Sequence, residues 1–317
     1  MGSAQSSTDA ERQPDALAPA ARALLEIAPW HLALFFLIMA LWGLNFAVSK
    51  AALEQLPPLA NMAARLTLVS VLLLPFVKRP HRHWGEIAAL SVTLGLLNFG
   101  LLFWGLKTVD AATASVAVQL QVPFAALISA LFLNDPLGWR RGLGMAIAFA
   151  GVVVIAGSPR LQGQDLALLA VIGASFVWAI SNFQVKRLAH LGGLTLTAWV
   201  SVLATPQLAL ASLLLEDGQW AAFASADWRA WASVGYQGVI SVIFGYGCWY
   251  WLLARYSVNQ AMPFTLLVPL FGVLSGHLLL GEPVTLALVM GGFLTVAGVG
   301  IIQVRRPRLA APETTRV

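Results

Sequence analysis

Charge is what this chain most conspicuously has little of. Of 317 residues only 10% are Asp, Glu, Lys or Arg, where a soluble protein carries roughly a quarter. With 59% hydrophobic residues and a mean hydropathy of +0.78, that scarcity excludes a water-facing surface and makes the chain an integral membrane protein. One cysteine, Cys248, excludes an internal disulfide and any cysteine-based metal cluster. Acidic residues are missing from the middle of every apolar run: Glu54, Glu86, Asp110, Asp135 and Glu282 all stand near run ends or in loops. Proton-coupled carriers commonly relay through a buried carboxylate. Its absence favours facilitated movement or exchange, or coupling through a less usual group such as His277.

Patterns that carry catalysis are also missing. Ser275-Gly276-His277 has no acid beside it, and residues two apart on a helix do not face each other. His81, His83 and Glu86 read as a solvated basic loop rather than a metal site, and the glycine pairs lack phosphate-loop spacing. No enzyme activity, cofactor or metal is expected. The formal charge of +5 and the pI near 9.8 mark cytoplasmic loops, not a nucleic-acid partner.

What is present is a series of long apolar runs. A membrane span needs about 20 largely apolar residues. Breaking the chain at charges and Pro/Gly clusters predicts ten: 31–51, 59–77, 86–106, 112–133, 139–157, 166–186, 194–215, 230–253, 259–280 and 285–303. Residues 1–29 lack periodicity and read as a disordered cytoplasmic tail; 304–317 read as a basic cytoplasmic tail. Of the 19 basic residues, Lys50, Lys107, Arg160 and Arg229 fall on the outer side, Arg65 lies within a span, and the other fourteen fall on the inner side. That bias predicts both termini in the cytoplasm.

The chain also echoes itself. Trp42…Lys50 (Trp-Gly-Leu-Asn-Phe-Ala-Val-Ser-Lys) is answered by Trp178…Lys186 (Trp-Ala-Ile-Ser-Asn-Phe-Gln-Val-Lys). Val122-Pro123-Phe124 is answered by Val268-Pro269-Leu270, and Ala150-Gly151-Val152 by Ala297-Gly298-Val299. Five spans per half is an odd number, so the halves 31–157 and 166–303 enter the membrane from opposite sides. The expected fold class is therefore an all-α integral membrane protein, ten transmembrane helices arranged as two inverted five-helix repeats. That is the architecture of many secondary transporters, with the substrate near the midplane between the repeats.

Polar groups inside the runs define a candidate site. Trp42, Asn45 and Ser49 share one helix face, as do Ser175, Trp178 and Asn182. Such faces point at protein or water rather than lipid; an isolated Asn is more readily a bond between helices than a ligand group, but two matched faces in inverted halves favour a shared site. Lys50 and Lys186, at span ends, either snorkel to the interface or meet a carboxylate entering or leaving. Arg65, about seven residues into the second span, costs at least ~2.5–3.5 kcal/mol there unless it faces water or a partner; bridging backbone carbonyls and binding substrate are both open to it. Gln119 and the deeper Tyr246 complete the expected lining. Pro123 and Pro269, at matching places in spans 4 and 9, are expected to kink their helices and permit gating.

Trp42-Gly43-Leu44-Asn45-Phe46 with Lys50, Pro57-Pro58 and Arg65 resemble the opening of the EamA family of the drug/metabolite transporter superfamily. Ala111 to Ser115 before Gln119-Leu120-Gln121, Gly245-Tyr246-Gly247-Cys248-Trp249, and Leu267-Val268-Pro269 through Glu282 extend the resemblance over about residues 31–303. Within the family it is similar to bacterial exporters of O-acetylserine, cysteine and related amino-acid metabolites. The resemblance implies inner-membrane efflux of a small polar metabolite by alternating access, with no bound cofactor. The partners expected are a small-molecule substrate and the lipid bilayer. Drugs, sugars and nucleotide-linked metabolites are the alternative substrates, and a scaffold or receptor is the reading outside transport. Asn134-Asp135-Pro136 and Pro283 depart from the family pattern, which commonly places a basic residue after Gly-Glu, and bear on loop-end salt bridges.

Overall fold

A computed structural model describes residues 27–80, 82–132, 138–256 and 258–303, with the side chains of Val258 and Asn259 excepted. The two tails, His81 and the Asn134-Asp135-Pro136 stretch lie outside the described residues. Those described are helical or connecting, with no strand among them.

Nine helices among the described residues are long and apolar enough to cross a membrane. They are α1 (Pro29–Leu53), α2 (Pro58–Phe76), α3 (Trp84–Thr108), α4 (Ala111–Phe132), α5 (Trp139–Ala156), α6 (Asp165–Arg187), α7 (Gly193–Leu215), α9 (Met262–Leu280) and α10 (Leu286–Gln303). Between α7 and α9 a continuous helical run, α8 (228–253), occupies the remaining expected position. Its Gln237, four Trp and three Tyr lower its apolarity below that of the other nine. A short helix, Gln219–Ser225, precedes it.

The helices pack in exchanging pairs. α5 lies along α10 and α2 along α7; α1 packs against α8 and α9, and α6 against α3 and α4. Glycine sets the closest approach. A Cβ on Gly298 of α10 would lie 2.5 Å from both the Gly144 carbonyl oxygen and the Ala148 amide nitrogen of α5, so backbone meets backbone there. Apolar burial surrounds the contacts, with Phe103, Leu106, Met62 and Leu208 in one cluster and Phe35, Ile38, Met39 and Leu252 in another.

Four helices change type mid-course. α3 is a π-helix over Ser91–Asn98 and α8 over Tyr236–Phe244. α4 tightens to 3₁₀ at Val118–Leu120, and α9 begins as 3₁₀ over Met262–Leu267. Pro123 and Pro269 follow those 3₁₀ turns directly, each within the first turn of the α-helix that succeeds them. That is where a residue without an N–H is tolerated. The expected mid-helix kinks are thus changes of helix type.

At one end of the bundle lie the connections after α1, α3, α5, α7 and α9. Here the side chain of Glu216, just past α7, accepts from Leu59 N–H (2.7 Å) and Ala60 N–H (3.1 Å) at the start of α2. Glu282, just past α9, does the same for α4, accepting from Ala111 N–H (2.7 Å) and Ala112 N–H (2.9 Å). Free amides and the positive helix N-terminus make both carboxylates favourable caps. Arg160 pairs with Asp110 at 2.5 Å beside them. This region is called the capped end below.

Candidate functional site

α1, α2, α3 and α8 each carry buried polar atoms that lack a hydrogen-bond partner. Among the described residues, Asn45 Oδ1, Ser49 Oγ, both amide atoms of Asn61, Arg65 Nε, Asn98 Oδ1 and both amide atoms of Gln237 are buried without a hydrogen-bond partner. Asn61 and Gln237 are fully buried, and Arg65 is 4% exposed. An unpaired buried amide costs about 1–3 kcal/mol, and native structures rarely carry several side by side without a reason.

Arg65 is the charged member of this group, one helical turn beyond Asn61 on α2. Its guanidinium lies over the rings of Phe99 and Phe103, 5.2 and 5.9 Å from their centroids. Its one hydrogen-bond partner is the Met62 sulfur at 3.9 Å, and Tyr246 interacts with it electrostatically. No carboxylate of the described residues pairs with it. A planar, permanently charged fork held between aromatic faces with donors to spare is built to take an anion bidentately.

An aromatic wall stands next to it. The Trp42 ring lies 5.2 Å from Tyr246 and 5.5 Å from Trp249, and Tyr246 stacks on Tyr250 at 6.0 Å. Trp42 reaches α8 because position 245 is glycine: a Cβ there would lie 2.7 Å from the indole nitrogen. Trp42 Nε1 then donates to the Ser241 carbonyl (3.1 Å), and Tyr236 donates to the Leu41 carbonyl (2.8 Å). Both bonds tie α1 to the π segment of α8, and π segments recur at functional sites.

A recess of about 690 Å³ lies elsewhere, between α2 and α7 beneath the short helix Gln219–Ser225. Its lining is apolar and includes the exposed Val71 and Leu213, so it opens sideways toward lipid. A polar ligand needs the charged, unpaired groups of the first cluster, which is why that cluster is taken as the site.

The model of the EamA-like transporter family matches this sequence twice, over residues 29–157 and 165–304. The chain belongs to that family. EamA-like relatives extend the likeness across nearly the whole length. A Salmonella typhimurium protein named "Probable amino-acid metabolite efflux pump" is 32% identical, over 84% of this chain and 93% of its own length. Its Escherichia coli namesake is 31% identical over the same shares. A Streptantibioticus cattleyicolor protein named "Probable terminal-alkyne amino-acid exporter" is 30% identical over 89% of this chain and 95% of its own. A solved structure superposes with a TM-score of 0.59 at 18% identity, covering 84% of this chain and 94% of that one, a likeness of fold alone. The chain is thus a multi-pass membrane transporter rather than an enzyme.

Of the lining residues expected in this EamA-like chain, Trp42, Arg65 and Tyr246 come together, and Asn45 lies about one turn beyond Trp42 on α1. Lys50 lies toward the capped end, where its Nζ donates to the carbonyls of Leu106 (3.3 Å), Thr108 (3.4 Å) and Val109 (2.5 Å) at the close of α3. Gln119 is buried and donates to the Thr265 carbonyl at 3.4 Å, joining α4 to α9. Trp178 is half-buried on α6, whereas Asn182 and Lys186 are exposed. The two Trp…Lys faces are therefore unlike in this conformation, one held inside and one open. Asn61 and Gln237 escaped the sequence reading. Each is a lone amide in an apolar run, and the available signal, for Asn61, was its place one helical turn before Arg65 rather than any motif.

Proposed function

We propose that this chain is an inner-membrane secondary transporter that exports amino acids or related small metabolites by alternating access. Both termini lie in the cytoplasm, and residues 31–157 and 166–303 form two inverted five-helix repeats around a shared path, with α8 as the tenth span. The exchange of packing partners supports this: α1 stands to α8 and α9 as α6 stands to α3 and α4. So does the family match, which falls once on each half.

The observation that carries the reading is Arg65, buried, free of any described carboxylate and held against the rings of Phe99 and Phe103, with unpaired buried amides on the neighbouring helices. A substrate carboxylate takes the guanidinium. Asn45, Asn61 and Gln237 take the remaining polar atoms of a zwitterion, and Trp42, Tyr246 and Trp249 cover its side chain. Lys50 receives the carboxylate near the outer mouth. Trp178, Asn182 and Gln119 line the path on the other half, and the 3₁₀-to-α junctions at Pro123 and Pro269 give α4 and α9 room to move. The names of the relatives support an amino-acid metabolite as cargo.

Counterflow in proteoliposomes tests the proposal. Purified protein preloaded with unlabelled amino acids should accumulate the labelled counterparts well above empty liposomes, and Arg65→Gln should abolish it. No flux of any amino acid or related metabolite, with drugs or sugars carried instead, would overturn the substrate class. No flux of any solute would overturn transport by this path.

A further inference from the structure

The recess between α2 and α7 lies apart from the groups assigned to the cargo. Its polar side chains are already engaged. Thr67 and Thr205 each donate to the carbonyl one turn earlier, Ser212 donates to Glu216, and Gln219 donates to the carbonyls of Ser212 and Glu216. Methyl, methylene and ring surface is what remains facing inward, and a polar occupant would lose its hydration there for no return. The side-chain donors left over are the indoles of Trp220 and Trp231, at the capped end. A volume of about 690 Å³ is that of a ligand site, since such sites run from about 300 to 1,000 Å³.

Its place in the membrane narrows the occupant. On α2 the lining runs from Ala60, in the first turn, to Val71, which at 1.5 Å per residue is about 16 Å. The hydrocarbon core of a bilayer is about 30 Å thick, so one leaflet contributes about 15 Å. The recess is therefore one leaflet deep, and the exposed Val71 and Leu213 leave it open sideways to lipid. Trp220, Trp228 and Trp231, all exposed, mark the end where it begins, and indoles gather at headgroup level. The short helix Gln219–Ser225 roofs that end, its Phe223 stacked on Trp231 at 5.7 Å, so a chain enters from the lipid side and not from water.

Charge completes the fit. Arg229, two residues before Trp231 in the first turn of α8, is exposed with its guanidinium over the Trp228 ring. The neighbouring carboxylates of Glu216 and Asp227 are committed to capping backbone amides. A cation at headgroup level beside an acyl-length slot suits a lipid phosphate.

We propose that this recess is a phospholipid site, in which one acyl chain of a bilayer glycerophospholipid lies between α2 and α7 with its phosphate against Arg229. Walls on several sides and a charge at the mouth hold this lipid, unlike the exchanging lipid around the rest of the bundle. The chain packs against the same helix that turns the buried Asn61 and Arg65 toward protein. The site is independent of the cargo and of the orientation proposed above.

Native mass spectrometry of the whole chain, extracted in detergent, tests it. After washing that strips boundary lipid, the parent should keep one phospholipid mass per chain. Gly235→Leu plugs the site, because Gly235 is helical, lines the recess and has nothing within 4 Å of a built Cβ. That variant should unfold at the parent's temperature or above and retain at least fivefold less lipid. Arg229→Gln, which leaves the recess intact, should lower retention about threefold or more. No bound lipid in the parent, or equal retention in Gly235→Leu, overturns the proposal; equal retention in Arg229→Gln overturns the placement of the phosphate. A dimer of the chain that Gly235→Leu dissociates, with no lipid bound, would make the recess a contact between copies instead. A second readout needs no variant. Phosphatidylglycerol carrying a diazirine midway along one acyl chain, reconstituted with the parent chain and irradiated, should label peptides of α2 and α7 at least fivefold over those of α5 and α10, whose Val153 and Phe293 are also exposed. Even labelling of the four helices would mark ordinary boundary lipid and overturn the site.

Discussion

Trp42 on α1 and Ser241 on α8 are joined by an indole N–H that donates to a main-chain carbonyl at 3.1 Å. The acceptor belongs to the π segment of α8, so the aromatic wall and the irregular backbone are one structure. A neutral hydrogen bond of this kind is worth about 1 kcal/mol. Trp42→Phe, which keeps a ring but loses the donor, should cut counterflow about fivefold, and Trp42→Ala should cut it further because the contacts to Tyr246 and Trp249 go too. Unchanged counterflow in the phenylalanine variant would detach this bond from transport.

The unpaired amides set function against stability. Gln237→Leu and Asn61→Leu each replace a buried group lacking partners with an apolar one of similar volume. Thermal unfolding in detergent should show the variants as stable as the parent or more so, by about 1–3 kcal/mol. Transport by either should fall more than tenfold. A variant that loses stability would show that the amide serves the fold.

Glycine contacts between α5 and α10 are of the opposite kind. Gly298→Leu must push backbone from backbone and should destabilise by at least about 1–3 kcal/mol, read as a lower unfolding temperature. Gly142, also on α5, has nothing within 4 Å of a built Cβ. Gly142→Ala should therefore stabilise by about 0.5–1 kcal/mol through helix propensity alone.

Asp227 caps the start of α8 outside the apolar core, accepting from Arg229 N–H (2.9 Å) and Ala230 N–H (3.1 Å). The bond from Ala230 N–H, with help from Gln55 and Arg229, holds its carboxyl below the ordinary carboxylate value. A depressed value means that the carboxylate stabilises the fold at neutral pH and that this contribution is lost as pH falls through the folded-state value. Unfolding temperature measured against pH should show the parent ahead of Asp227→Asn at neutrality, with the gap closing below about pH 4. Asparagine keeps the cap but cannot titrate, so a gap that persists in acid would assign the difference to something other than charge.

Much of the fold was legible because membrane burial writes itself as length and apolarity. α1, α7 and α10 fall within two or three residues of their expected bounds. The run at 230–253, expected as a span because charges and connections frame it, is helical, but its Trp, Tyr and Gln content dilutes the hydropathy below that of the other nine. The site was legible where cost was visible: Arg65 in hydrocarbon is conspicuous, and Trp42 with Asn45 shared a helical face. Asn61 and Gln237 were not, since one amide in twenty apolar residues looks like a bond between helices until its partners are sought. Glu282 was set aside as a loop residue because sequence position near a helix end says nothing of burial; only the turn at Gly281 folds it inward. Nor did the even 3.6-residue period foretell the π segments, which break that period.

Those π segments have a consequence for chain length. Ser91–Asn98 in α3 and Tyr236–Phe244 in α8 each wind more residues into their turns than an α-helix would. Losing one residue there would let the helix continue as ordinary α. The π turns absorb the extra residue, so everything beyond would keep its place, whereas the same loss from ordinary α-helix ahead of them would draw it back by about 1.5 Å and turn it by roughly 100°. In α3 the part beyond carries Phe99 and Phe103, which cover Arg65; in α8 it carries Tyr246 and Trp249, which meet Trp42. A one-residue deletion inside either π stretch would thus leave a continuous helix with its rings in place, while one in the α-helical turns just ahead of it would re-address every ring that covers Arg65 or meets Trp42.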